Sequence, residues 1–218
     1  MKNITQYHDI LAFMVKAIHM AGKIIEDDFC QTDRFNVHLK NKSEGSFPDY
    51  VTSTDIKAEE VIKKILYEAF PDIPFVGEET GGDDRSERYF ICDPLDGTSN
   101  FLAGRDYFAT ALAYVEEKKV KIATIMDPIK KDIVTAIEGQ GAFLNSAPVL
   151  LEKLTNASPV AIQLECEIPV LDFEEYPFLK PLLQRTSGLR KSGSTLLDIV
   201  NILKGRHIIC VTSALERH

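Results

Sequence analysis

The chain of 218 residues has no tryptophan and only four cysteines, Cys30, Cys92, Cys166 and Cys210. They form no C-x-x-C pair and no metal-like spacing, which excludes a disulfide framework or thiolate metal site as the organising element. Reduced thiols in a cytoplasmic protein are expected. No apolar run approaches the ~18 residues that a membrane span requires, and Met1-Lys2-Asn3-Ile4-Thr5 lacks the apolar core of a secretory signal. A soluble protein without a membrane partner follows as the expectation. Positive charge is also scarce: 25 Lys and Arg against 33 Asp and Glu leave a net charge of −8. That balance argues against nucleic acid as the primary partner, because a phosphate backbone needs a basic face. An anionic substrate would need help from metal ions. Repeats and low-complexity segments are absent, and the length suffices for one compact unit with a full core.

What the chain does have is concentrated in Tyr89-Phe90-Ile91-Cys92-Asp93-Pro94-Leu95-Asp96-Gly97-Thr98-Ser99-Asn100-Phe101. A short apolar run meets two carboxylates three residues apart and then a Gly-Thr-Ser turn. This pattern predicts a buried strand that delivers acids to its carboxyl end, where open α/β sheets place ligands. A helix beginning after Gly97 would aim its first N–H groups at a bound anion. Asp-x-x-Asp alone is commonly a solvated turn. Here, however, Val76-Gly77-Glu78-Glu79 and Val51-Thr52-Ser53-Thr54-Asp55 supply further acids, and such a gathering is costly unless cations neutralise it. The expectation is a metal and phosphate site.

Gly77-Glu78-Glu79, the Asp93–Phe101 stretch and Val51–Asp55 together resemble the GEE, DPxDGTxNF and VTxxD signature of the inositol monophosphatase-like, magnesium-dependent, lithium-sensitive sugar phosphatases. The resemblance runs from Tyr7 to about Cys210. It implies a layered α-β-α-β-α sandwich and two or three Mg2+ ions per site. Glu78, Asp93 and the backbone carbonyl of Leu95 would hold the first ion, with Asp93 and Asp96 sharing the second. Glu78 and the Thr98 hydroxyl would position the attacking water, and the Gly97 and Thr98 N–H groups would take phosphate oxygens. Asp55 falls at a helix start, where it is either an N-cap or an acid supporting the site. Arg190-Lys191-Ser192-Gly193-Ser194-Thr195 is similar to the family's sugar-contacting segment, with Thr195 where alanine is usual, so Gly193, Ser194 and Thr195 are candidate substrate contacts. Lys40 or Lys42 would be the mobile-loop lysine. The implied activity is hydrolysis of a small polyol phosphate such as inositol 1-phosphate by a homodimer. Fructose 1,6-bisphosphate, 3′-phosphoadenosine 5′-phosphate, or a non-catalytic regulatory role on the same scaffold are the alternatives.

Other phosphatase chemistries lack their residues. No cysteine has arginine at the Cys-x5-Arg offset, no Asp-x-Asp is present for a phosphoaspartyl mechanism, and there is no Gly-x4-Gly-Lys-Ser/Thr loop. Direct attack by water activated by hard, oxygen-liganded cations remains.

Around this centre the hydrophobic spacing predicts helices over 7–29 and 55–70, the second ended by Pro71. A loop over 36–50 and strands at 73–76 and 89–92, joined by a hairpin-like connection at 81–86, are also expected. Strand-like runs at 107–115, 120–126, 133–136 and 142–145 imply an antiparallel meander, with Gly139-Gln140-Gly141 as a turn. Further on come a strand at 160–164, an interrupted helical stretch over 173–183, a helix opened by Gly193-Ser194-Thr195 and a strand at 208–211. The expected organisation is an amino-terminal α+β subdomain at 1–150 carrying the site and the start of a carboxyl-terminal α/β subdomain at 151–218. Family members continue through a Trp-Asp whose aspartate completes the second ion's shell, so the native polypeptide is expected to extend beyond His218.

Overall fold

The computed structural model describes residues 4–31, 37–39, 50–151, 161–165, 177, 180–181, 184, 186, 189–206 and 208–212. Helix α1 (Ile4–Cys30) and helix α2 (Ser53–Ala69) lie together against one face of a seven-stranded sheet. Its strands follow chain order: β3 (Phe75–Gly77), β4 (Arg88–Asp96), β5 (Ala109–Glu116), β6 (Lys119–Met126), β7 (Ile133–Ile137), β8 (Gly141–Leu144) and β9 (Ala147–Pro148). From β4 to β9 every pairing is antiparallel, the expected meander. Its tight turns use left-handed backbone at Glu117 and Lys118 and at Gly139, the conformation that short hairpin loops require.

Period-2 alternation lets β5 serve two layers. Leu112 and Tyr114 belong to the larger core with Ile10, Met14, Ile18 and Ile25 of α1 and Ile62 and Leu66 of α2. Burying each such aliphatic side chain contributes about 1.5–3 kcal/mol, which fixes the helices on the sheet. Phe29, Phe101 and Phe108 close this core next to the acidic stretch, with ring centroids 4.9 to 5.6 Å apart. Ala109 instead joins Val134 and helix α4 (Thr195–Leu203), through Leu197 and Val200. Helix α4 also packs on β12 (Ile208–Thr212), which with β10 (Ala161–Glu165) and β11 (Leu189–Arg190) forms a parallel three-stranded sheet of order β11-β10-β12. Helices, sheet, helix and sheet are four successive layers of the α-β-α-β-α sandwich that the resemblance implies.

Several expectations need correction. The 81–86 connection is no hairpin, because β3 and β4 pair in parallel, Phe75 opposite Phe90. The chain first doubles back on itself through reciprocal Gly77 and Gly81 backbone bonds and then travels to the start of β4. Within the 36–50 stretch, β1 (Val37–Leu39) pairs antiparallel with β2 (Tyr50–Thr52); Lys40 and Lys42 lie outside the described residues. Helix α2 begins before Asp55, with Thr52 as N-cap. Strand β4 is also longer than its apolar run and carries Asp93 and Asp96 within it, paired with Ala111 and Ala109 across an irregularity in register. Most of 173–183 falls outside the described residues.

Candidate active site

The end of β4 has to turn sharply, and Gly97 makes that turn possible. Its φ is 93°, and a Cβ there would come within 3.0 Å of both the Gly193 and Tyr107 carbonyl oxygens. Any other residue would be strained in conformation and crowded by backbone. Gly97 then serves as N-cap of α3 (Thr98–Leu102), with its carbonyl accepting from Asn100 and Phe101.

Thr98, the first residue of α3, donates its hydroxyl toward Leu95 O at 2.9 Å and Asp55 Oδ1 at 3.2 Å. A hydroxyl has one proton, so these two acceptors compete for it. The other Asp55 oxygen closes a capping box: Oδ2 accepts from Thr52 N at 2.8 Å and from the Thr52 hydroxyl, and Thr52 Oγ1 in turn accepts from Asp55 N. Asp55 is thus the third residue of α2 rather than its cap, and it links the helix start to Thr98. Burial pushes the Asp55 carboxyl above its ordinary value, opposed by the Thr52 and Thr98 hydrogen bonds.

Asp93 stands between Glu78 and Asp96. Burial, then the charges of Glu78 and Asp96, then a side-chain hydrogen bond with Glu78 hold its carboxyl well above the usual carboxylate range. The Leu95 N–H, donating to Asp93 Oδ1 at 3.1 Å, acts in the opposite direction. Cys92, buried alongside, is kept a neutral thiol by burial first and then by Asp93, Glu59 and Glu78. Asp96 points elsewhere: its Oδ2 accepts from Ser194 Oγ and from Leu196 N, both at 2.7 Å. Helix α4 therefore has two caps, the Ser194 hydroxyl that accepts from Leu197 N and the carboxylate of Asp96.

The 192–196 segment is held by a buried polar network. Asn100 Nδ2 donates to the Tyr107 and Ser192 carbonyls at 2.7 and 2.9 Å. Asp198, fully buried, accepts from the Tyr107 hydroxyl at 2.5 Å and from Ser192 Oγ at 2.8 Å.

The structure thus brings Asp55, Leu95 and Thr98 into one cluster, Glu78, Asp93 and Asp96 into a second, and Gly97, Gly193 and Ser194 into a third, with Thr195 beside them as the first residue of α4. Among the described residues no three His, Cys, Asp or Glu side chains stand as a ready-made metal cage. The donor set nonetheless fits a hard dication. It consists of carboxylate and carbonyl oxygens, and the mutual repulsion of Glu78, Asp93 and Asp96 is what a cation would relieve. Glu59, Tyr107 and Asp198 were not among the residues expected to matter, whereas Asn100 stands in the DPxDGTxNF signature. The signal for Glu59 was a charge in the apolar stripe of α2, at three- and seven-residue spacing to Ile62 and Leu66.

An Inositol-1-monophosphatase of Rhizobium meliloti is 33% identical over 204 residues, covering 90% of this chain and 74% of that protein. The Nus factor SuhB of Haemophilus influenzae is 28% identical over 202 residues, 90% of this chain and 73% of its own. The crystal structure of extragenic suppressor protein suhB from Bartonella henselae superposes with a TM-score of 0.82 at 30% identity, covering 95% of this chain and 79% of that one. The model of the Inositol monophosphatase family matches residues 6–217, and the chain belongs to that family.

Proposed function

We propose that this protein is a magnesium-dependent phosphomonoesterase that hydrolyses a small polyol phosphate, with inositol 1-phosphate as the representative substrate, by direct attack of water. The observation that carries this reading is the Glu78, Asp93 and Asp96 group beside a Thr98 hydroxyl shared between Asp55 and Leu95 O. Glu78, Asp93 and the Leu95 carbonyl would hold one Mg2+, and Asp93 and Asp96 another. When bound, magnesium supplies positive charge for the phosphate and activates the attacking water. When Thr98 donates its proton to Asp55, its lone pairs accept from a water and orient it, with Glu78 as the second acceptor. Gly97, compelled to lack a side chain, leaves backbone N–H groups at the turn available for close approach by a phosphate. Gly193 and Ser194 lie against the same turn and, with the neighbouring Thr195, would read the hydroxyls of the substrate, so that 1–150 would carry the chemistry and 151–218 the substrate fit.

A second reading, a regulatory role on the same scaffold, is favoured by the relatives that are named Nus factor SuhB. Phosphate release from a panel of inositol 1-phosphate, fructose 1,6-bisphosphate and 3′-phosphoadenosine 5′-phosphate, with and without magnesium, separates the two. Magnesium-dependent turnover of the inositol ester is expected; release from none of the three would refute the enzymatic reading.

A further inference from the structure

Glu59 lies in the middle of α2, fully buried, with Ala58 and Ile62 of the hydrophobic core beside it. A carboxylate in that position is costly unless its oxygens are satisfied. Both are: Oε2 accepts from Glu79 N at 2.8 Å and Oε1 from Thr80 N at 2.9 Å. The approach to the loop is so close that a Cβ on Gly77 would fall 2.2 Å from Oε1. A side chain at 77 would therefore push the Glu59 carboxylate away from these two bonds.

The consequence falls on Glu78. Five successive N–H groups of this loop have fixed acceptors. Gly77 donates to Gly81 O, Glu78 to Cys92 O, Glu79 and Thr80 to Glu59, and Gly81 to Gly77 O. One buried side chain from a different element supplies two of the five. Without it the loop would keep its anchors at Gly77, Glu78 and Gly81 but lose those immediately after Glu78. We infer that Glu59 is a positioning residue for the first metal ion: it clamps the Glu79–Thr80 backbone and thereby holds the Glu78 carboxylate against Asp93. This inference rests on the reading of Glu78 and Asp93 as magnesium ligands. It assigns Glu59 no contact with ion or substrate.

The test is magnesium binding to the full chain by titration calorimetry without substrate, together with the magnesium-induced rise in Tm. Wild type is compared with Glu59→Gln, Glu59→Asp and Glu78→Gln. Gln keeps the shape but turns an NH2 toward a backbone N–H, and Asp keeps the charge but withdraws it by one methylene. Either is expected to weaken magnesium binding by about 10-fold or more, the usual cost of losing a group that orients a ligand, and to shrink the magnesium-induced rise in Tm. In turnover assays the magnesium requirement should rise by a similar factor, with kcat at saturating magnesium within about 3-fold of wild type. A purely structural role would lower Tm without magnesium and leave the magnesium-induced rise unchanged. Wild-type affinity in either folded Glu59 variant, while Glu78→Gln has lost binding, would overturn the inference alone. Failure of wild type itself to bind magnesium would instead overturn the reading on which it rests.

Discussion

Thr98 Oγ1 stands 3.2 Å from Asp55 Oδ1, and the two residues come from the first turns of different helices, α3 and α2. The same Asp55 fixes the start of α2 through its other oxygen. One carboxylate thus both closes the start of a helix and competes with Leu95 O for the proton of the Thr98 hydroxyl. Thr98→Ala is accordingly expected to lower kcat by at least about 100-fold, the lower end of what positioned proton acceptors and donors contribute, while KM changes by less than about 3-fold. Steady-state kinetics with inositol 1-phosphate checks this. A loss of stability of about 1 kcal/mol with kcat intact would show Thr98 to be only a local brace.

Asp93→Asn separates stability from activity. Asn removes a charge that burial and the Glu78 and Asp96 carboxylates disfavour. In EDTA the variant should therefore be more stable than wild type. Magnesium-dependent hydrolysis should fall by at least about 1000-fold, because electrostatic stabilisation of the transition state is lost with the charge. Thermal melts with and without magnesium, beside activity within tenfold of wild type as the adverse result, decide it.

Calcium is expected to bind the same carboxylates and to inhibit, since its longer bonds and higher coordination number suit binding without the near-octahedral geometry of magnesium. Raising magnesium at fixed calcium should restore turnover competitively. Lithium at millimolar concentration should also inhibit, by the family resemblance. Turnover indifferent to both ions would remove the support for a magnesium site at Glu78, Asp93 and Asp96.

Tyr7 offers a pH-dependent test away from the site. Its hydroxyl donates to Glu116 Oε2 at 2.6 Å, joining α1 to the end of β5. That hydrogen bond, with burial and the Glu116 charge, pushes its pKa up to about 12 from 10.0. A folded pKa raised above the unfolded one means that the contribution to stability is complete below pH 10.0 and is lost as pH rises toward about 12. Tyr7→Phe should cost about 1 kcal/mol at neutral pH and flatten the fall in stability between pH 10 and 12. Equal slopes for variant and wild type in urea melts across that range would contradict the assignment.

Much of this was legible in the sequence because it is local. The Asp93–Phe101 stretch carries its own strand, turn and helix start, and the meander announces itself through turn residues between β-branched runs. What was not legible depends on distant partners. Nothing near residues 81–86 tells a hairpin from the parallel return of β3 and β4, since both need a polar connection of similar length. The N-cap role of Thr52 and the third-residue role of Asp55 follow from which hydroxyl and carboxylate meet, and the spacing fits either. The capture of Asp96 by Ser194 and Leu196, and the Tyr107, Ser192 and Asp198 network, join residues with no sequence signal in common. The candidate ligands were nameable from their motif; the side chains that hold them in place were not.

Asp96 at the start of α4 also sets an order of events in time. The strands from β4 to β9 pair with their sequence neighbours and close short loops, whereas the Asp96 to Ser194 hydrogen bond joins residues 98 positions apart. Loop-closure entropy makes contacts between neighbours fast and contacts across such a span slow. The acids on β4 are thus expected to be in place while the segment that would meet the substrate is still undocked. In refolding followed by hydrogen exchange, the Leu196 amide should gain protection after those of β5, and catalytic competence should return with Leu196 rather than with the sheet.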